Sequence, residues 1–400
     1  MSSSAGFSHF VRCKKHRTLI SLSHRVKTFT RAQILQEFHF RCQTLAANDN
    51  RGFKKEFEEL SDVGKELPVR AAESEVNREK NRYPYILPYD HCRVRLSVQN
   101  SIPHTDYINA NFVPGGGSER DFICTQGPLP NTMADFWRMV WEQNVRIIVM
   151  VTALKHKDIV LCDRYWPVER GTVYHGLIQV TTVTCRKGPD YFISTINLRQ
   201  RDCPTDRVIT HYYYYSWPDR SIPKESSSLC AFTDYVRQHL EAIPRLGPTV
   251  VHCSAGVGRS GTFVTLLWLM QLCARGIQPD IRAAVEDLRL HRMWMVQNLE
   301  QYIFVYQCLL KWLGGVTGRS SAGGPQIQGA GSKINPHNQD QPHGSSGRGE
   351  RTGRRRHHRH GQKSPPEPPQ NTIQQMLHPG NLLRRLLPSS SLLNPGSDAS

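Results

Sequence analysis

Twelve consecutive residues, Val251-His252-Cys253-Ser254-Ala255-Gly256-Val257-Gly258-Arg259-Ser260-Gly261-Thr262, constrain this chain more than any other stretch. They place one cysteine at the end of the apolar run Thr249-Val250-Val251, which reads as a short buried strand. Small residues, an arginine and a nearly all-apolar helical stretch, Phe263 to Met270, follow it. A helix entered in this way turns unpaired backbone N–H groups and the positive end of its dipole towards the loop, a field that binds phosphate and favours thiolate over thiol. A free cysteine ionises near pH ~8.5, but at a helix N-terminus beside a cation this falls to roughly 3.5–7.5. Cys253 is therefore expected to be charged and nucleophilic at neutral pH. Arg259 supplies a planar fork that can hold two phosphate oxygens at once. The pattern reads as a phosphate cradle with a nucleophile at its floor.

A cysteine six positions before an arginine is weak evidence alone, since a chain of this composition holds about one such pair by chance. The coincidence of strand, His-Cys, five small or permissive residues, Arg-Ser and helix is far more specific. A lone cysteine is ordinarily an inert core residue, and that reading is given to most of the other ten. The same residues also contain Gly256-x-Gly258-x-x-Gly261 between a strand and a helix, as a dinucleotide-binding turn requires. Asp280, nineteen residues beyond Gly261, could be its acidic partner. That fold needs another strand ending at the acidic residue, whereas Asp280 precedes the helical run Ile281 to Leu290. Nor does it account for Cys253 or Arg259.

The 400 residues carry a formal net charge of +17, unevenly spread. Residues 1–50 hold +6 and residues 318–400 hold +7, leaving about +4 for the stretch that bears the cysteine loop. Eleven cysteines without C-x-x-C pairing fit a reducing compartment better than a disulfide framework, and no metal or cofactor is expected. No apolar stretch reaches the ~20 residues of a membrane span, and Met1 to Leu22 lacks a signal-peptide core. As written the chain is expected to be soluble and cytoplasmic.

Residues 1–52 read as a basic N-terminal segment with one amphipathic helix around Arg31 to Phe40, and residues 53–315 as the globular domain. Within it, Met133, Phe136, Trp137, Val140 and Trp141 lie at helical spacing behind Asn131 or Thr132 as cap, and Val145 to Thr152 reads as a buried strand. Strand-like segments fill Arg164 to Trp217, including Val208 to Tyr215. Helical patterns follow at Ser226–Leu240, Thr262–Cys273, Ile281–His291 and Leu299–Leu313. Residues 316–400 change to Gly, Ser, Pro, Gln and His, with a basic cluster Arg354 to His360, and are expected to be disordered. Such basic runs are usually solvated tails; nuclear localisation and the binding of acidic lipid, RNA or another polyanion are the alternatives left open. Nucleic acid is not expected as a ligand of the globular domain. No internal repeat is apparent, so a second copy of the domain is not expected.

Residues 53–313 resemble the catalytic domain of the protein tyrosine phosphatases, in particular the receptor-type class. The motifs that carry the resemblance are Lys80-Asn81-Arg82-Tyr83, Asp106-Tyr107-Ile108-Asn109-Ala110, Thr125-Gln126-Gly127-Pro128, Trp217-Pro218-Asp219, the Cys253 loop and Gln297. The resemblance implies an α/β (α+β) fold, a highly twisted mixed sheet flanked by helices. It implies that Cys253 attacks phosphotyrosine to give a phosphocysteine intermediate while Arg259 and the amides of Ser254, Ala255, Gly256, Val257 and Gly258 stabilise the phosphoryl oxygens. Asp219 would be general acid and then base, Ser260 would stabilise the departing thiolate, and Gln297 with Gln301 would position water. Tyr83 would stack on the substrate ring and set a depth that phosphoserine cannot span. The implied partners are phosphotyrosine-containing proteins. The basic cluster Arg12 to Arg17 is similar to the segment just inside the membrane in receptor-type members, which implies membrane association of some form of the protein.

The chain departs from that pattern at several places. Tyr85 stands where members carry an acidic or amide anchor for the peptide backbone. Ser221 replaces a glycine of the mobile acid loop, so slower closure is expected. His156 and Leu161 replace a glutamate that pairs with the phosphate-binding arginine and a lysine near the acid loop, so Arg259 is expected to be less firmly oriented. Asn298 replaces a threonine. These changes motivate a second reading, a weakly active or inactive module that binds phosphotyrosine. A third is a phosphatase that also accepts phosphoserine or lipid phosphates, against which Tyr83 argues.

Overall fold

The computed structural model describes residues 27–315, except Arg220 and Lys224. The basic stretch 1–26, the tail 316–400 and the Arg12 to Arg17 cluster lie outside the described residues. In chain order the elements are α1 (Arg31–Glu59), α2 (Arg70–Glu73), β1 (Arg93–Arg95), β2 (Tyr107–Val113), β3 (Phe122–Thr125), α3 (Met133–Glu142) and β4 (Ile147–Met150). Next come β5 (Lys155–His156), β6 (Ile159–Val160), β7 (Gly171–His175), β8 (Ile178–Lys187), β9 (Tyr191–Gln200) and β10 (Arg207–Tyr214). The chain then runs through α4 (Ser226–Ala242), β11 (Thr249–His252), α5 (Gly258–Ala274), α6 (Ile281–His291) and α7 (Leu299–Leu313).

Nine strands form one mixed sheet in the order β1-β2-β3-β11-β4-β10-β9-β8-β7, and β5 pairs with β6 apart from it. The four inner strands β3, β11, β4 and β10 run parallel to one another, while both flanks are antiparallel. Parallel strands need both faces covered, and their residues divide accordingly with period two. Ile147, Val149, Val151 and Val251 face a core shared with α1, α4, α5, α6 and α7, whereas Ile148, Met150 and Val250 face α3 and the aromatic group Trp137, Tyr165 and Trp166. β11 is thus wholly buried and delivers Cys253 at its C-terminal end, between two parallel neighbours.

Two boundaries differ from the sequence-based expectation. The fold extends upstream of Phe53, because α1 already begins at Arg31 and buries Ile34 and Phe38 in the helical core. A capping box starts it, with Thr30 Oγ1 accepting from Gln33 N and Gln33 Oε1 accepting from Thr30 N. Left-handed backbone at Asn48, Asp49 and Asn50 breaks the helix, using the residue types that tolerate that conformation best after glycine. Glu56 then accepts hydrogen bonds from Tyr302 and Tyr306 of α7. Composition hid this packing because only a narrow apolar stripe is buried within an otherwise charged stretch. The second difference is α5, which starts at Gly258, four residues before Thr262, and so includes Arg259 and Ser260 in its first turn.

Candidate active site

Cys253 is 2% exposed and sits between the end of β11 and the start of α5. Gly256 N donates to its sulfur at 3.2 Å. Burial alone would push this thiol up; the Arg259 charge, the hydroxyl and amide of Ser260 and the Gly256 amide outweigh it and hold Cys253 below its ordinary value. Nearby Cys124 shows the opposite outcome, burial pushing its thiol up to about 12. Ser260 Oγ is buried and makes no hydrogen bond of regular geometry, which leaves a hydroxyl at the sulfur with capacity to spare.

The loop is held from several sides. Gly256 has φ +75°, and a Cβ there would meet Thr125 O at 2.2 Å, so both conformation and space demand glycine. Gly127 N donates to Ser254 O at 2.9 Å, and Val296 N to Val257 O at 3.2 Å. Arg292, fully buried just beyond α6, donates to Gly256 O at 2.9 Å and Ala255 O at 3.0 Å. Its other donors reach Asn109 Oδ1 at 2.8 Å and Asn111 Oδ1 at 2.9 Å on β2. One guanidinium thereby turns two loop carbonyls away from the cradle and leaves the loop amides to face inward. Nothing in the sequence marked Arg292, since a basic residue at a helix C-terminus is ordinarily a partner of the dipole.

A second support lies beneath Cys253. His252 Nδ1 is 3.1 Å from Cys253 O, and Tyr165 Oη lies 2.7 Å from His252 Nε2 and 2.6 Å from His211 Nε2. A carbonyl can only accept, so His252 carries its proton on Nδ1 and accepts from Tyr165 at Nε2. Tyr165 has then spent its one donor and accepts from His211 Nε2–H, which leaves His211 Nδ1 as a bare lone pair. That nitrogen is indeed buried without a partner. Burial holds His252 at about 4 and His211 well below its usual range, so both are neutral and the chain of donors ends on the backbone of Cys253.

The remaining expected residues converge on the loop. Arg259 is buried, and its guanidinium donates to Asp219 Oδ1 at 2.9 Å and Trp217 O at 3.5 Å. Trp217 is buried and donates to Ser221 O at 3.0 Å, closing the acid loop on itself. Tyr83 shares a hydrogen bond of 2.7 Å with Ser254 Oγ. Its loop is stapled by Arg82, which donates to Gly127 O, Pro128 O and Asp163 Oδ2. Gln297 and Gln301 both approach Gly258, where a Cβ would lie 3.0 Å from their side-chain oxygens. Gln297 N donates to Gln301 Oε1, and Asn298 caps α7 by accepting from Gln301 N at 2.9 Å. Trp294 and Val296, just before Gln297, hold φ of +60° and +58°, a conformation costly for a β-branched residue. Arg289 secures that segment by donating to Met295 O and Val296 O.

The positions that depart from the resemblance lie as follows. His156 is exposed on β5, Leu161 is buried, and Tyr85 is half exposed. The carboxylate that orients Arg259 here is that of Asp219 itself.

A family model described as protein-tyrosine phosphatase matches residues 77–311. Receptor-type tyrosine-protein phosphatase V of Rattus norvegicus is 42% identical over 290 residues, covering 72% of this chain and 17% of that protein. Receptor-type tyrosine-protein phosphatase eta of Homo sapiens is 42% identical over 274 residues, 68% of this chain and 20% of that protein. For receptor-type tyrosine-protein phosphatase F of Mus musculus the figures are 41% over 271 residues, 67% and 14%. The chain therefore spans a fifth or less of the length of these relatives.

Proposed function

The chain belongs to the protein-tyrosine phosphatase family, and from that premise we propose that it hydrolyses phosphotyrosine in proteins through a phosphocysteine intermediate. The observation that carries this reading is the buried Cys253 sulfur, held below its ordinary thiol value between the Gly256 amide and Arg259. The thiolate attacks phosphorus, an S–P bond forms and the P–O bond to the tyrosyl ring breaks. The loop amides and Arg259 take up the equatorial oxygens. A phosphate dianion that occupies the Arg259 fork displaces Asp219 from it, which frees that carboxyl group to protonate the leaving phenolic oxygen. In the second step Asp219 removes a proton from water placed by Gln297 and Gln301, the water oxygen attacks phosphorus, and the S–P bond breaks. Ser260 Oγ then donates to the returning thiolate, and inorganic phosphate leaves.

Tyr83 forms one wall of the slot and is tied to Ser254 at its floor. A phenolic phosphate spans that depth, and the shorter phosphoserine side chain does not. The partners of the domain are accordingly phosphotyrosine-bearing proteins. The receptor-type names of the relatives support a place on the cytoplasmic side of a membrane; no helix among the described residues is itself long and apolar enough to cross one.

Hydrolysis of an aryl phosphate and of a phosphotyrosine peptide by the wild type and by Cys253→Ser tests the proposal. The expected loss is at least ~10⁴-fold, with vanadate inhibiting the wild type. Equal rates for the two proteins would overturn it. Tight peptide binding by a wild-type protein that shows no turnover would instead assign the phosphotyrosine-binding module.

A further inference from the structure

A cavity of about 400 Å³ opens at the opposite end of the central strands, where β4 and β11 begin at Ile147 and Thr249. Three loops build it and are tied to one another. Asp121 accepts from Gly117 N, Ser118 N and Arg245, Thr249 N donates to Asp121 O, and Asn144 Nδ2 donates to Leu246 O at 3.0 Å. A Cβ on Gly247 would meet Gln143 O at 2.4 Å, so that loop is seated hard against its neighbour. The cavity is preformed by these ties and is of the size that holds a small organic molecule.

Its lining charges are Arg120, Arg146, Arg245 and Asp121. Arg245 is neutralised by Asp121 at 3.1 Å. Among the described residues no ion pair engages Arg120 or Arg146, so the cavity carries excess positive charge. Two residues of its lining also carry an unmatched donor. Gln271, on α5 and 2% exposed, has its Nε2 buried without a hydrogen bond, and so does Arg146 at Nε. A buried donor left unpaired costs about 1–3 kcal/mol, which an acceptor brought to it would offset. Leu240, Ile243 and Phe122 supply the apolar part of the wall.

We propose that this cavity is a second binding site, for a small organic carboxylate with an apolar body. Its carboxylate lies on Arg146 with Gln271 Nε2 as a further donor, and its body lies against Leu240 and Ile243. A guanidinium fork matches the geometry of a carboxylate. The site is independent of the substrate site: Gln271 lies twelve residues along α5 from Arg259, a rise of ~18 Å.

The test is a titration of the isotopically labelled full chain with naphthalene-2-carboxylate, its neutral alcohol and inorganic phosphate, followed by amide chemical shifts. The carboxylate is expected to shift the amides of residues 117–121 and 245–249, and Arg146→Gln and Gln271→Met are each expected to weaken those shifts about tenfold in affinity. Both variants should keep wild-type turnover of aryl phosphate, which reports that they fold. The alcohol is expected to bind at least tenfold more weakly than the acid. Shifts confined to residues 254–260, affinities unchanged in both variants, or phosphate binding as tightly as the carboxylate would each overturn the proposal. Absence of any shift would do so as well, leaving the two donors to ordered water.

Discussion

The loop around Cys253 and the loop around Asp219 meet at one guanidinium, yet they are built on opposite plans. The first is clamped through its backbone: Arg292 holds the carbonyls of Ala255 and Gly256, Gly127 and Val296 donate amides into the loop, and His252 braces Cys253 from below. The second is anchored through the buried Trp217, whose indole closes the loop on Ser221 O, and through the contact of Asp219 with Arg259. A nucleophile needs a fixed field at all times, because its ionisation depends on donors that do not reorganise. A general acid has to reach the leaving group only when substrate is present, and an ion pair that substrate can replace suits that task. The arrangement of Arg259 follows from the same logic. With His156 exposed and Leu161 buried where the resemblance would place a glutamate and a lysine, Asp219 supplies the carboxylate that orients the arginine.

The sharpest way to separate the two loops is Asp219→Asn. Turnover of an aryl phosphate should fall about 10²–10⁴-fold with little change in peptide affinity, and the decline in rate at high pH should disappear, since no proton remains to be lost. Loss of affinity in place of turnover would mean that the carboxylate serves the fold of the loop and not the chemistry.

Acid should break the clamped region first. His252 is held at about 4 against an ordinary value of 6.5, so between these pH values the unfolded chain binds a proton that the folded one refuses. Stability is fully present above pH 6.5 and declines as pH falls towards 4, by about 3 kcal/mol from this group at the limit. Chemical denaturation of wild type and His252→Gln across that range measures it, and parallel curves would refute it.

Arg292→Lys keeps the charge but cannot reach four acceptors at once. We expect kcat/KM to fall about 10–100-fold and vanadate to bind more weakly, because the loop amides lose their fixed direction. An unchanged vanadate affinity would show that the loop holds its shape without the clamp. The smallest effect is expected from Ser221→Gly. Trp217 closes the loop through the backbone oxygen of residue 221, which glycine keeps, so glycine should alter kcat by only about two- to threefold, through the ease of loop motion alone. A larger gain would mean that closure, and not chemistry, limits the wild type.

The phosphate cradle from Cys253 to Arg259 is legible because local chemistry announces it, whereas the role expected of Asp219 comes from the family resemblance. Small residues between an apolar run and a helix have few other uses, and Trp-Pro-Asp acquires meaning beside them. The order of helices and strands was legible for the same reason: β4 is a continuous apolar run, β10 is rich in Val, Ile, Thr and Tyr, and apolar residues recur with helical period in α3 and α7. The start of α1 near Arg31 was legible too, but its packing into the helical core was not, because its charged face masks the few residues that pack. The direction of the loop amides was not either. It depends on Arg292, 36 residues beyond Gly256, and on two asparagines more than 180 residues before it.

Local pattern, then, was enough to point to a phosphate site with Cys253 at its floor, since residue type and spacing place a thiol beside a fork of donors. Folding had to settle which way the loop carbonyls turn, which nitrogen of His252 carries the proton, which carboxylate faces Arg259, and that a cationic cavity lies at the far end of the strands. Those outcomes are set by contacts between groups remote along the chain, whose free energies depend on burial and on the pairing of every donor, and no short window of residues contains that information.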